Sequence, residues 1–142
     1  MKIVGATKSE VEELKKIAVS LGVEKRLKVL ETVSYEDVAN QLSSSSIGIL
    51  INSKLNTHST KYTSPLKYYE YLAAGLKILA VDYPSHRDLP HSDKIEYYDE
   101  DNLESFTSAI QRLERKNTFQ LSEISSISLD TRSRKIIDFL NI

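Results

Sequence analysis

The sequence predicts an α/β domain built on a mostly parallel sheet, and three observations carry that expectation. Short apolar runs of strand length alternate with stretches whose apolar residues recur at helical spacing. The helical stretches open on Ser, Asp or Pro, and two of them close on Gly22 and Gly75. Residues 47–51 and 78–81 are apolar with little alternation, as strands buried on both faces are. Alternation of this kind implies right-handed crossovers and ligand sites at the carboxyl ends of the strands.

Taken in order, Lys2, Ile3 and Val4 form a short strand that ends at Gly5. Ser9 and Glu12 have capping-box spacing, and Val11, Leu14, Ile17, Ala18 and Leu21 then mark one helical face before Gly22. Residues 27–30 read as a second strand, with Leu27 and Val29 on one face. Ser34 with Asp37 starts a helix through Val38 and Leu42, and the serine run 43–46 is its end. Residues 47–51 are a third strand, followed by a polar loop over 52–63 of the length that often carries function. A helix over 65–74 and the strand Lys77–Val81 come next. Residues 95–98 suit an edge strand, and Asp101 with Glu104 caps a helix that carries Leu103, Phe106, Ile110 and Leu113. Residues 115–128 read as polar and irregular. A last helix over 131–140 places Ile136, Ile137 and Leu140 on one side.

Composition narrows the function classes. The chain has 142 residues, enough for a single domain with a real core. Charged residues make up 27% and the net charge is −1, so no broad basic face for nucleic acid is expected. No run approaches a membrane span, and no signal peptide precedes Lys2. Cysteine is absent, which excludes thiolate chemistry and favours a reducing compartment, the cytoplasm. His58, His86 and His91 are scattered without a second ligand at metal spacing, and are expected to be exposed loop residues. No GxGxxG, Walker loop or receiver-type acidic cluster is present, so no catalytic residue is assigned.

Residues 64–82, SPLKYYEYLAAGLKILAVD, are the most informative stretch. Ser64 is a good N-cap and Pro65 suits the first helical position. A loop entering such a helix start can hold an anion, because unpaired amides and the helix dipole point at it. Lys67 and Glu70 lie three residues apart and share a face. From the helix start to Glu70 is about 7–9 Å at the helical rise, the reach from a diphosphate to a ribose. A carboxylate can accept hydrogen bonds from both vicinal ribose hydroxyls. The same spacing also serves a solvated Lys67–Glu70 pair, and Ser64 also serves as a plain cap worth about 1 kcal/mol. Among Tyr62, Tyr68, Tyr69 and Tyr71, the pattern places Tyr68 or Tyr69 in the core with its hydroxyl at the rim.

Over its whole length the chain resembles the C-terminal, donor-binding half of the GT-B glycosyltransferases of the group 1 family. The anchors are KIVGATKSEVEELKKIAVSLGVEKRLKVL, SYEDVANQLSSSSIGILIN, SPLKYYEYLAAGLKILAVDYPSHRDL, DEDNLESFTSAIQRL and TRSRKIIDFL, in family order. The resemblance implies a Rossmann-like sheet with helices on both faces, forming one nucleotide-sugar-binding domain over 1–142. It implies that Glu70 holds the donor ribose, and that Ser64, Pro65, Leu66 and Lys67 surround the diphosphate. It implies retaining transfer of a sugar from a nucleotide-diphosphate sugar to a glycan, lipid or other acceptor, as in polysaccharide biosynthesis. It implies no metal and no cofactor beyond the donor.

Two departures stand out. Many members carry a second glutamate eight residues before the one matching Glu70, where this chain has Tyr62. The family's first strand-helix unit, with its Arg and Lys on the diphosphate, has no match. The expected partners are therefore the donor, an acceptor-binding N-terminal domain or another chain, and a membrane-proximal acceptor that would draw the assembly to the membrane periphery. An unpaired central strand edge would also invite self-association. The alternative is a non-catalytic assembly or regulatory module derived from such an enzyme.

Overall fold

The computed structural model describes residues 1–55, 57–62, 65–119 and 121–140. The expected parallel α/β architecture is present: every strand pair is parallel. The strands form two sheets, one of two strands and one of three, with no pairing between the groups. Contacts likewise divide the chain into two compact units, 1–41 and 42–142, with the boundary inside a helix.

In the first unit, β1 (Lys2–Ala6) pairs with β2 (Lys28–Glu31), joined by α1 (Lys8–Ser20). Ala6, Val11 and Val29 form the core, with Ile3, Leu14 and Leu27 packed on it. The capping box of α1 is Thr7 with Glu10, two residues before the Ser9–Glu12 pair expected; both spacings fit, and the helix starts at Lys8. The stripe on α1 is wider than its core: Ile17 is 47% and Leu21 68% exposed. Gly5 lies inside β1 rather than at its end. It sits at φ +98° where the register shifts between Val4 and Ala6, a bulge that only glycine enters without strain. Ser34 caps α2 (Tyr35–Ser43) through the Asp37 amide, as expected, and Lys2 Nζ donates to Gln41 O at 3.0 Å.

The second unit is organised by β4 (Lys77–Val81), between β3 (Ile47–Leu50) and β5 (Glu96–Tyr98). Ile78, Leu79 and Ala80 are fully buried, and alternate side chains enter different cores. Ile78 and Ala80 pack with Leu50, Tyr68 and Leu72, the last two on α4 (Leu66–Ala73). Leu79 and Val81 pack with Tyr98 and with Ala109 and Leu113 of α6 (Leu103–Arg115). Helices therefore cover both faces of this sheet. At the start of β4, Lys77 Nζ donates to the carbonyls of Leu113 (3.1 Å) and Glu114 (2.8 Å), a cation at the negative end of α6.

Other elements correct the sequence reading. Asn102, not Asp101, caps α6 by accepting from Ser105 N, because Asp101 is turned to φ +60°. The loop 52–63 contains α3 (Thr57–Lys61), and α5 (Pro84–Arg87) follows β4. The segment 115–128 is not wholly irregular: it holds α7 (Leu121–Ser126), and α8 starts early at Leu129–Leu140. Ile124 and Ile127 pack on the Tyr68 core, a signal hidden among serines in the sequence. On α8, Ile137 is 48% and Phe139 84% exposed; the side chains of Ile136 and Leu140 lie outside the described residues.

The outer edge of β5 is closed by α6. Asp82 N donates to Tyr98 O, so Tyr98 faces β4 and Ile95, Tyr97 and Asp99 turn outward. Lys116 Nζ, just past α6, donates to Ile95 O (3.3 Å), and Arg112 Nη2 donates to Tyr97 O (3.2 Å). Asp99 N donates to Ser105 Oγ (2.9 Å). Glu96 bonds both Arg112 and Lys116; burial alone would raise its carboxyl, but these hydrogen bonds hold it below the usual range. At β3 the ring of Tyr71 crosses Gly48, and its hydroxyl donates to Ile49 O at 3.4 Å.

Two outcomes follow. A Cβ at Gly48 would lie within 2.8 Å of three Tyr71 ring carbons, so Gly48→Ala should cost about 1–3 kcal/mol in urea unfolding. Adding Tyr71→Ala should shrink the further cost of Gly48→Ala toward zero. The Arg112→Ala/Lys116→Ala double variant bares the outward carbonyls of β5, and light scattering should show concentration-dependent association absent in the parent.

Candidate functional site

The carboxyl ends of β3, β4 and β5 carry the loops that gather chemistry-bearing side chains. Because α4 follows a parallel strand, its amino end returns to this edge. Ser64 lies outside the described residues. Pro65 takes the N-cap position (φ −71°, ψ 127°) rather than the first helical one, and makes no side-chain cap. Pro65 supplies no side-chain acceptor, so the amides of Leu66 and Lys67 have no partner within the helix. Tyr68 N–H donates to Pro65 O at 3.0 Å.

Lys67 and Leu66 are exposed, Leu66 by 72%. Glu70 is half-buried one turn further on. The two charges that share this face do not pair: no ion pair joins Lys67 and Glu70 among the described residues. Of the two tyrosines the pattern offered for the core, Tyr68 is fully buried; its hydroxyl donates to Pro90 O, which pins the first turn of α4 to the loop after α5. Tyr62, at the end of α3, is 73% exposed.

Sequence reasoning missed a second cluster at the same edge. Tyr83 donates its hydroxyl to Glu100, and the Lys54 amide donates to the other Glu100 oxygen at 3.4 Å. Lys54 Nζ meets Asp101 at 2.5 Å. Burial first, and then the Glu100 carboxylate, push the Tyr83 hydroxyl up to about 12. The cluster ties the segment after β3 to those after β4 and β5. Its members are up to 47 residues apart, so no local pattern marks them.

His86 contradicts the expectation of an exposed loop histidine. It is fully buried, because α5 turns it back under the end of β4, and its Nδ1 lies 2.7 Å from Val81 O. Its Nε2 has no partner among the described residues. Next to it, Arg87 grips both oxygens of Asp82 at 2.8 Å and stacks over the Tyr97 ring at 3.8 Å.

A polar groove of about 440 Å³ runs along the outer edge of β5, lined by Arg87, Tyr97, Glu96, Arg112 and Lys116 among others. Its cations are already engaged by Asp82 and Glu96, and residues 65–70 do not line it. The groove is thus the seam between β5 and α6. Among the described residues no three His, Asp or Glu side chains gather as metal ligands, and no helix is long and apolar enough to cross a membrane. Compared with protein-family models, curated proteins and solved structures, the chain finds no match.

The Glu100 tie can be read directly. Glu100→Ala should speed amide hydrogen exchange across 51–55 several-fold at neutral pH while α6 stays protected, with a stability loss of about 1 kcal/mol.

Proposed function

We propose that the chain is the donor-binding part of a retaining glycosyltransferase, acting in the cytoplasm on a nucleotide-diphosphate sugar. The observation that carries the reading is the amino end of α4. Pro65 at its N-cap offers the first amides no side-chain acceptor, and one turn later stands a half-buried carboxylate, Glu70, with no ion-pair partner among the described residues. Charge and hydroxyl chemistry run in the order such a donor needs. The diphosphate would meet the Leu66 and Lys67 amides at the positive helix end, with the Lys67 ammonium and Ser64 beside it. The Glu70 carboxylate would accept from the ribose hydroxyls.

The chemistry asked of these groups is electrostatic. Sugar transfer leaves a nucleoside diphosphate, and donors fixed where that charge grows lower the barrier without reorganising. The acceptor would be a glycan, lipid or other hydroxyl compound held by an acceptor-binding domain or another chain. The sequence resemblance around residues 64–82 supports the same assignment.

A second reading, a non-catalytic assembly or regulatory module, is favoured by Tyr62. It stands exposed where many members of the resembled family place a glutamate, and brings no carboxylate. A product assay with nucleotide sugars, after an acceptor-binding half is supplied in trans, separates the two.

Calorimetry with UDP and GDP tests the donor reading on the chain itself. One of them should bind, and Glu70→Ala should weaken it about tenfold or more, the loss of a charge-assisted hydrogen-bond pair. Equal binding by both proteins removes Glu70 from the ribose role, and no binding by the parent removes the donor site.

A further inference from the structure

The buried imidazole of His86 has no part in the donor reading. We infer that His86 is an acid-sensitive latch: while neutral it ties α5 to the end of β4, and on protonation it releases α5, and α3 packed on it, from the carboxyl edge of the sheet.

The argument starts from the tautomer. A carbonyl only accepts, so Nδ1, 2.7 Å from Val81 O, carries the proton and donates it. Nε2 is then the bare nitrogen. It is buried and without a partner among the described residues, a state tolerable for a weak lone pair. Protonation would convert it to an N–H donor with no acceptor and put a positive charge out of water. Both penalties fall on one side of the equilibrium.

The surroundings offer little relief. Asp82 is the acid whose charge reaches the ring, but both its oxygens are engaged by Arg87. Asp88, on the same segment, is exposed. From α3, which packs on α5, the titratable groups are His58 and Lys61, neither of them an acid that could accept from the protonated ring. Tyr83 donates to Glu100, and the Tyr97 hydroxyl lies against the carbonyls of His86 (3.2 Å) and Ser92 (3.1 Å). Burial pushes the imidazole below its ordinary value, and the Val81 bond and Asp82 offset that only in part.

What the latch holds is weak by itself. α5 is a single turn of four residues, too short to persist without tertiary contacts. The native state favours the neutral ring, so His86 contributes fully above about pH 6.5. The contribution falls as pH drops through 6.5 toward the lower native value. Within that window opening should rise about tenfold per pH unit.

Hydrogen exchange on the full chain, corrected for intrinsic rates, tests this between pH 7.5 and 5.5. Amides of 57–62 and 82–89 should lose protection by up to about tenfold, while 105–113 of α6 keep theirs. His86→Asn keeps an N–H for Val81 O and cannot be protonated there, so its protection of both segments should not vary with pH. Parent protection that is unchanged over this range overturns the latch, as does the same pH profile in His86→Asn. Should that variant not fold, the parent imidazole is followed by NMR. A ring that titrates at the ordinary value while its Nδ1–H stays bonded overturns the latch; a ring that stays neutral until the two segments open supports it.

Discussion

The second unit depends on one constraint, the burial of β4 on both faces and both edges. Its five residues pair with β3 on one side and β5 on the other, and they feed two cores at once. Each large side chain buried there contributes about 1.5–3 kcal/mol of transfer free energy. α4 is held because Tyr68 and Leu72 meet Ile78 and Ala80, and α6 because Ala109 and Leu113 meet Leu79 and Val81. Even the ends of the strand are used: Lys77 caps α6, and Val81 O anchors His86. A strand with this many obligations fixes the positions of the loops around it, and with them the candidate site.

The two margins of this sheet are treated differently. Along β5, three side chains from one face of α6 and the residue just past it take the outward-facing groups that another strand would otherwise find. This is how a protein blunts a sheet edge without lengthening it. Along β3, the device is steric: glycine at 48 lets the Tyr71 ring lie across the strand, and the hydroxyl reaches Ile49 O. The polar groove beside β5 follows from the first device. Its charges are spent on the strand and on one another.

At the start of α4, Pro65 makes no side-chain cap, and Lys67 and Glu70 do not pair with each other among the described residues. Had Lys67 and Glu70 paired, the face would read as an ordinary solvated one. Instead the carboxylate is half-buried with no ion-pair partner among the described residues, while Tyr68 below it fixes the first turn through Pro90 O. On the proposed donor reading, amides and carboxylate held this way would not have to move to meet a charged, hydroxyl-rich ligand. The Lys54–Tyr83–Glu100 tie gives the neighbouring loops a comparable rigidity.

Much of this was legible in the residues themselves. Alternating apolar runs determined the parallel α/β class, the strand positions and the two-sided burial of β4, because side-chain period is a local property. The segment 64–82 likewise determined the helix, its glycine stop and the shared face of Lys67 and Glu70. Local signals placed caps only to within a residue or two, since Thr7–Glu10 and Ser9–Glu12, or Asn102 and Asp101, satisfy similar spacings. Tertiary structure alone decided the rest. It buried His86, joined Lys54 to Glu100 across 46 residues, kept Lys67 and Glu70 from pairing with each other among the described residues, and divided the strands into two separate sheets. These outcomes turn on which distant groups compete for the same hydrogen bonds and the same buried volume, a comparison that no stretch of sequence makes by itself.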